Sequence, residues 1–400
     1  MAPIQLSLHS VLIFSLYLYL SLSFASAILH PVDYLTLQSI HRSMSDLPGS
    51  SFFSSWDFTT DPCTTFTGVS CSGGRIVSLS LGDPRAGSPG LAGTLPASIG
   101  RLTALTDLSL VPGRVTGTIP PAIFHLPNLR FLALSSNLLS GQLPNSLSPF
   151  FRTIDISSNR LSGFLPASLF HLRGLTTLIL SHNRFVGSIP NLVSSPLTHL
   201  DLKNNLLSRQ IPALPSSLQY LSLSSNHLSG QVDNALAKLV NLNYLDLSFN
   251  LLSGSIPGTL FSFPIRSLQL QRNSFSGHLY PTSPIREGAL LDLSYNQLIG
   301  TIPKELSIAG TIYLNSNKFF GEVPGEFVQR LAEGKIRLLY LQHNYLTKII
   351  IGSGAVIPVS ASVCVQDNCL VPPVGMTACP VRSGRRKTRP AWQCSVWAKG

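Results

Sequence analysis

The stretch LRFLALSSNLLSGQLP, residues 129–144, carries a pattern that returns along most of the chain. Leucines stand at 129, 132 and 134, an asparagine follows at 137, and a Leu-x-Gly-x-Leu-Pro segment closes the unit. LTTLILSHNRFVGSIP at 175–190 and LNYLDLSFNLLSGSIP at 242–257 repeat it. The asparagine position recurs every 21 to 27 residues from Gly113, where glycine replaces it, to Asn344, which makes eleven units.

A period of 20–29 residues with this leucine and asparagine spacing is typical of a leucine-rich-repeat solenoid. Alternation such as Leu132-Ala133-Leu134 predicts a short strand whose leucines point to one side. A single unit cannot bury these leucines alone, so neighbouring units stack and bury one continuous core. We therefore predict an α/β solenoid, one elongated domain with a parallel β-sheet on its concave face.

The repeated asparagine lies where each strand ends and the chain turns. Its amide can both donate to and accept from backbone groups that the turn leaves unpaired. We predict a buried structural ladder of these side chains, namely Asn137, Asn159, Asn183, Asn205, Asn226, Asn250, Asn273, Asn296, Asn317 and Asn344.

Two irregular segments interrupt the period. A twelfth unit precedes the regular ones, and inside it Asp83–Pro89 is rich in Gly and Pro, which predicts a loop. The longest interval contains Phe327, Val328 and Leu331, whose spacing predicts a short helix on the outer side.

The N-terminal segment has the features of a secretory signal. Val11–Phe24 is a nearly unbroken apolar run, and Ala25-Ser26-Ala27 follows it. We predict cleavage after Ala27, although the segment lacks Lys and Arg, so an uncleaved anchor is the alternative. No later apolar stretch reaches the length that a bilayer requires.

Six cysteines lie outside the regular repeats, two before them and four after them. An even number at the two ends predicts disulfides that stabilise terminal caps. Cys63 and Cys71 would close a short loop, whereas the C-terminal four allow three pairings that the sequence leaves open. Zinc is the alternative for those four, but they contain no C-x-x-C pair. The four are Cys364, Cys369, Cys379 and Cys394.

These motifs resemble the plant-type extracellular leucine-rich repeat. The resemblance rests on the second half-unit, as in Leu252-x-Gly254-x-Ile256-Pro257, and on Cys63–Cys71, which is similar to C-x-x-W-x-G-V-x-C with Phe66 replacing Trp. The segment from Asp33 to Leu37 looks like the opening helix of the matching cap. The resemblance covers the chain after Ala27 and implies a right-handed superhelix with disulfide-stapled caps, similar to ectodomains of receptor-like proteins, receptor kinases and polygalacturonase-inhibiting proteins.

Four regions are predicted. They are a signal peptide at 1–27, an N-terminal cap at 28–74, about 12 repeats at 75–347, and a basic, Cys-rich C-terminal cap at 348–400.

The solvent-facing positions beside the inner leucines are the candidate ligand-binding surface. Exposed aromatic side chains on a rigid scaffold are common anchors of interfaces. We predict contacts in the C-terminal half, at Tyr220, Tyr244, Asp246, Phe249, Arg266, Gln269, Arg272, Asp292, Tyr295 and Tyr313. Aspartates on alternate units also suggest glycoside hydrolysis, but L-D-L-S is common in this repeat type, and we expect an open strip not to raise a carboxylate pKa.

Charge and motifs limit the partners. The net charge is +11, and six of these charges lie after Pro380, where no acidic residue occurs. Secretion disfavours nucleic acid, so an anionic wall polysaccharide or a lipid surface is the candidate partner of this tail. The chain has no H-E-x-x-H, G-x-S-x-G or phosphate-loop motif, and we expect no enzyme activity, cofactor or metal.

The predicted function is therefore recognition. We expect a secreted, non-enzymatic module in the apoplast or cell wall, or peripheral to the plasma membrane, that binds a protein, a peptide or a wall polymer. The resemblance implies a receptor kinase as a partner in cell-surface signalling or defence. Two alternatives are an inhibitor of a wall-degrading enzyme such as polygalacturonase and a structural wall-associated protein.

Overall fold

The computed structural model describes residues 29–82, 90–193, 195–352, 356–373, 379 and 388–394. The predicted signal peptide, the predicted loop at Asp83–Pro89 and most of the basic tail lie outside these residues. Among the described residues, no helix is both long and apolar enough to cross a bilayer.

The first half of each unit forms one strand of a long sheet, as predicted. Fourteen described strands join in the order of the chain, all parallel except the first pair. Leu132 and Leu134 are both fully buried, and the equivalent leucines of the other coils form a single core. The strands are β2 (Val69–Ser72), β3 (Arg75–Leu81), β5 (Asp107–Leu110), β7 (Phe131–Ala133), β9 (Thr153–Asp155), β11 (Thr177–Ile179), β13 (His199–Asp201), β15 (Tyr220–Ser222), β17 (Tyr244–Asp246), β19 (Ser267–Gln269), β21 (Leu290–Asp292), β23 (Thr311–Tyr313), β25 (Leu338–Tyr340) and β27 (Ser362–Cys364).

The second half of each unit forms another sheet, which the sequence analysis did not anticipate. Ten described strands pair in parallel, and their Leu or Phe side chains point into the core. The glycine that follows adopts a positive φ, for example 85° at Gly254, where a side chain would be strained. These strands are β8 (Ser140–Gly141), β10 (Arg160–Phe164), β12 (Arg184–Gly187), β14 (Leu206–Arg209), β16 (His227–Gly230), β18 (Leu251–Gly254), β20 (Ser274–His278), β22 (Gln297–Gly300), β24 (Lys318–Glu322) and β26 (Tyr345–Lys348).

Two of these strands lack the glycine. Lys348 takes its position in β26 without a positive φ, whereas Arg209 in β14 keeps the left-handed conformation with φ at 72°. A left-handed conformation costs a non-glycine residue roughly 1–2 kcal/mol, whereas glycine loses about 0.5–1 kcal/mol of entropy. We expect Arg209→Gly to raise the free energy of unfolding by about 0.5–1 kcal/mol in urea titrations. The same change at Arg184, which is exposed and begins β12 without a positive φ, should lower it; a loss at both positions would contradict this account.

Short helices cover the outer side of the solenoid. The predicted helix is present as α5 (Gly325–Ala332), and its own Phe327, Val328 and Leu331 are buried. The others include α3 (Pro121–Phe124), α4 (Asp233–Leu236) and the 3₁₀ segments Ala97–Arg101, Ala167–His171, Gly258–Ser262 and Lys304–Ile308.

The asparagine ladder is present and continues one coil further than predicted. Asn250 represents its geometry: its amide donates to the carbonyls of Leu223, Leu247 and Ser248, and its oxygen accepts from the Leu228 N–H at 3.0 Å. Asn368 makes the equivalent contacts. The sheet likewise reaches β27, beyond residue 347, where the repeats were predicted to end.

The N-terminal cap closes one end of the core. It contains α1 (Pro31–Ser43), β1 (Met44–Asp46), the 3₁₀ segment Phe52–Ser55, and α2 (Pro62–Thr65), and the strands β4 (Leu91–Thr94) and β6 (Arg114–Thr116) extend the sheet that begins at β1. Asp33 is fully buried and accepts hydrogen bonds at 3.0 Å from both Nε and Nη2 of Arg75. Trp56 stacks on Phe66, the residue that replaces the family tryptophan, with ring centroids 5.1 Å apart.

Disulfides stabilise both ends, as predicted. Cys63 pairs with Cys71, and the C-terminal pairs are Cys364–Cys379 and Cys369–Cys394. All six cysteines are thus bonded, so zinc binding by the C-terminal four is excluded. The short helix α6 (Ala391–Cys394) ends at the last of them.

Candidate functional site

Three rows of side chains run across the concave face from coil to coil. The ring row, one position before the first inner leucine, contains His199, Tyr220 and Tyr244 on β13, β15 and β17. The acidic row, between the two inner leucines, contains Asp155, Asp201, Asp246 and Asp292. The edge row, just before the ladder asparagine, contains Phe249, Arg272 and Tyr295, all with positive φ.

The ring row is a continuous aromatic stack. The rings of His199 and Tyr220 lie parallel within 2°, with centroids 4.0 Å apart, and those of Tyr220 and Tyr244 within 5°, at 4.4 Å. This spacing is close to the separation of neighbouring strands, about 4.8 Å, so the sheet itself aligns the rings. The stack ends at Gln269, whose amide donates to the Tyr244 hydroxyl at 3.1 Å.

Burial keeps the stack neutral at ordinary pH. It raises the pKa of both Tyr220 and Tyr244, and the carboxylates of Asp201 and Asp246 raise each further. Burial also lowers the pKa of His199. Burial therefore favours the uncharged forms of the two hydroxyls and of the imidazole.

The acidic row is less open than the sequence analysis expected. Asp201 and Asp246 are buried, at 6% and 8% exposure, rather than solvent-facing. Burial also raises the pKa of Asp292, so the expectation that this strip leaves carboxylate pKa values alone is wrong. The reason is local: neighbouring side chains on adjacent coils displace water that an isolated strand would admit.

Most of the acidic row also has a structural task. Oδ1 of Asp246 accepts from the Ser248 N–H at 3.0 Å and from its hydroxyl at 2.6 Å. Asp155 and Asp292 make the same pair of contacts with the serine two residues on. Oδ1 of Asp201 accepts from the Lys203 N–H at 3.1 Å, and its Oδ2 lies 3.6 Å from the Lys203 ammonium. These aspartates therefore cap the turns after their strands, and only the second oxygens of Asp155, Asp246 and Asp292 remain for a ligand.

The edge row holds an arginine between two aromatic rings. The Cζ atom of Arg272 lies 4.2 Å from the ring centroid of Tyr295 and 5.3 Å from that of Phe249. The two rings are about half exposed, at 49% for Phe249 and 46% for Tyr295. A guanidinium over aromatic faces is stabilised by about 0.5–1 kcal/mol at exposed sites.

Of the remaining predicted contact residues, two lie beside the acidic row and one lies away from all three rows. Gln269 lies in register between Asp246 and Asp292, and Tyr313 follows Asp292 on the next strand and contacts Tyr340 edge-to-face. Arg266 is the outlier, because it lies at the entry side of β19. There it lines a cavity of about 270 Å³ together with Arg286 and Glu287.

His199 is the functional candidate that the sequence analysis missed. Nothing in its own unit marks it. The signal is found only across units: histidine, tyrosine and tyrosine occupy the same position in three consecutive coils.

Comparisons with known proteins agree with this architecture. The leucine rich repeat N-terminal domain matches residues 30–72, and the leucine rich repeat matches 128–150, 151–172, 174–195, 196–218, 217–239 and 241–263. A search of the curated proteins found no match.

Solved structures of plant proteins share the fold. The plant peptide hormone receptor RGFR1, in complex with RGF2, is 32% identical with a TM-score of 0.63 over 70% of this chain and 46% of its own, so this chain spans less than half of it. The Arabidopsis receptor kinase HAESA, in complex with the peptide hormone IDA and the co-receptor SERK1, is 25% identical with a TM-score of 0.52, over 85% and 74%.

A plant ice-binding protein is 26% identical with a TM-score of 0.56, over 82% of this chain and 99% of its own. The repeated coils, the two sheets and the matching cap agree with these comparisons. The chain contains a leucine rich repeat N-terminal domain followed by leucine rich repeats, and its fold is similar to that of plant leucine-rich-repeat receptor ectodomains.

Proposed function

We propose that this chain is an extracellular recognition module whose concave face binds an extended peptide. The observation that carries the proposal is the ring row, His199, Tyr220 and Tyr244, which is half-buried and fixed on three consecutive strands. Tyrosine supplies large contact area at low entropic cost, together with a hydroxyl that bonds to a peptide backbone.

The shape of the face favours an extended ligand. Parallel strands about 4.8 Å apart place side chains in straight rows, and the three rows present aromatic, acidic and cationic groups side by side. A peptide lying across the coils meets a new combination of these groups at each strand. Such a ligand gains sequence specificity from side-chain contacts without any change in the scaffold.

The comparisons support a peptide as the ligand class. Two of the similar structures, RGFR1 and HAESA, are receptors in complex with peptide hormones, and HAESA also holds a co-receptor. By this analogy we propose a membrane receptor kinase as a further partner. Secretion through the N-terminal segment and attachment to an anionic wall polysaccharide through the basic tail remain parts of the same proposal.

Removing a ring from the stack should weaken ligand binding. We expect Tyr220→Ala and Tyr244→Ala each to weaken peptide binding at least tenfold, because central aromatic anchors commonly contribute about 2 kcal/mol or more. The measurement is affinity purification of peptides from apoplastic fluid on immobilised protein, followed by titration of the recovered peptide.

Tyr280 offers a matched control, because it is 73% exposed and lies after β20, outside the three rows. Tyr280→Ala should retain binding. Full recovery of the same peptides by folded Tyr244→Ala protein would remove the ring row from the ligand site.

The two alternatives from the sequence have separate tests. Inhibition of polygalacturonase in a reducing-sugar assay would favour the inhibitor. Release from wall fractions by salt, with no bound peptide, would favour a structural wall component, because surface charge is screened by salt.

A further inference from the structure

We propose that a cavity beside the start of β19 and β21 binds a tetrahedral oxyanion, a phosphate or sulfate group, through Arg266 and Arg286. The cavity measures about 270 Å³, and Glu287, Gly288 and Ala289 complete its lining. It lies apart from the ring, acidic and edge rows. Its ligand is therefore a second one, and the inference does not depend on the peptide proposed for the concave face.

The register of the main sheet explains why a cavity forms here. Arg266, Ala289, Gly310 and Arg337 are the residues directly before β19, β21, β23 and β25, and we call them the entry row. The Gly310 N–H donates to the Ala289 carbonyl at 3.0 Å, and the Leu290 N–H donates to the Arg266 carbonyl at 2.9 Å. Entry-row neighbours are thus about one strand spacing, 4.8 Å, apart. Because Ala289 and Gly310 carry almost no side chain, the space beside Arg266 stays open.

The two arginines have donors to offer. Both side chains are exposed, and within the described part of the chain no hydrogen bond or ion pair engages either guanidinium. A guanidinium keeps its charge at ordinary pH and carries five N–H donors in a planar fork. A tetrahedral oxyanion has more oxygens than one fork can satisfy, so two forks from neighbouring coils match it better than a planar carboxylate does.

Glu287 is the acidic member of the lining, and Arg330 offsets its charge. Nη2 of Arg330, on α5, donates to Oε1 of Glu287 at 3.0 Å. The Arg330 side chain is only 13% exposed, and its Nε is buried without an acceptor among the described residues. Three arginines and one glutamate leave a formal charge of +2 at this site. The local field therefore attracts an anion.

The size of the cavity limits what it can hold. Its volume of about 270 Å³ corresponds to about nine waters at roughly 30 Å³ each. Pockets that enclose whole drug-sized ligands usually measure about 300–1,000 Å³. The cavity therefore accommodates one oxyanion group with part of its hydration shell. The ligand is either the free inorganic ion or the phosphate or sulfate of an ester whose remainder stays outside.

Calorimetric titration of the full, disulfide-bonded chain in a phosphate-free buffer tests this assignment. The probes are inorganic phosphate, inorganic sulfate, phenyl phosphate and phenyl sulfate. We expect saturable binding of the inorganic ions at one site per chain. Tighter binding of a phenyl ester than of its free ion identifies an ester as the preferred form, whereas equal or weaker binding identifies the free ion.

Variants distinguish the cavity from the general charge of the protein. Arg266→Gln and Arg286→Gln should each weaken binding at least tenfold, because charge-assisted hydrogen bonds are lost. Glu287→Gln should strengthen binding, because it removes the carboxylate that repels the ligand. Arg337→Gln removes the same charge from the entry row outside the cavity and should change binding less than about twofold. Arg337 lies three strands from Arg266, about 14 Å, which exceeds the screening length of about 8 Å in 0.15 M salt.

Three results would overturn the inference. One is the absence of saturable heat for any of the four probes up to about 10 mM. Another is an equal loss in Arg337→Gln and in Arg266→Gln, with both variants folded by circular dichroism, because binding would then reflect charge along the edge rather than the cavity. The last is saturable binding of an oligogalacturonate, whose anions are carboxylates, by a chain that ignores phosphate and sulfate.

Discussion

Asn250→Ala is expected to lower the free energy of unfolding by about 1–3 kcal/mol, because it leaves a buried backbone donor without its acceptor. The Leu228 N–H loses the Asn250 oxygen, and three carbonyls each lose one donor but keep another. Asn250 is only 7% exposed, so water cannot replace these bonds. Urea unfolding followed by circular dichroism measures the loss.

An exposed asparagine supplies the control. The Asn241 amide makes a single hydrogen bond, to the carbonyl of Ser216 at 3.1 Å. Asn241→Ala should change the unfolding free energy by no more than about 0.5 kcal/mol. Similar losses in the two variants would show that the ladder contributes nothing beyond ordinary surface contacts.

Breaking the Cys369–Cys394 disulfide is expected to have an effect of similar size. The two cysteines are 25 residues apart, and the chain-entropy relation gives about 3.5 kcal/mol for a loop of that length. The bond holds α6 against the last coil, where the Arg389 guanidinium lies over the Tyr345 ring at 4.3 Å. With both cysteines changed to serine, that segment would be held by non-covalent contacts such as this one and the hydrogen bond from the Arg389 N–H to the Asn368 carbonyl at 2.8 Å.

The N-terminal disulfide provides a comparison for this predicted loss of stability. Cys63 and Cys71 are separated by 8 residues, for which the same relation gives about 2.5 kcal/mol. Denaturant unfolding of the two double-serine variants should therefore rank the C-terminal loss above the N-terminal one. The reverse order would mean that contacts within the caps, rather than loop length, determine the stabilisation.

The backbone architecture was predictable because each coil repeats the same physical requirement. Leucines at fixed spacing must face inward, and an asparagine must satisfy the turn, so the main sheet, the ladder and the disulfide-bonded ends followed from residues alone. The last strand, β27, was not predicted, because Val363 and Val365 replace the leucines of the pattern. The second sheet was not predicted, because its strands are short and its glycines resemble those of turns.

The candidate site was less predictable because it forms between coils rather than within one. Tyr220 and Tyr244 were identified from their own units, but the ring of His199 joins them only through strand register. The burial of Asp246 likewise depends on side chains that neighbouring coils supply. Arg266 and Arg272 are close in sequence, yet they lie on opposite sides of the face.

The antiparallel strand β2 has a consequence for self-association. A solenoid end with an open parallel edge could add another copy of itself and grow into a filament. Here β2 is four residues long, runs against β3, and is tied through Cys71 to the helix that precedes it. A second molecule would therefore meet a short, pinned edge whose polarity does not suit parallel stacking.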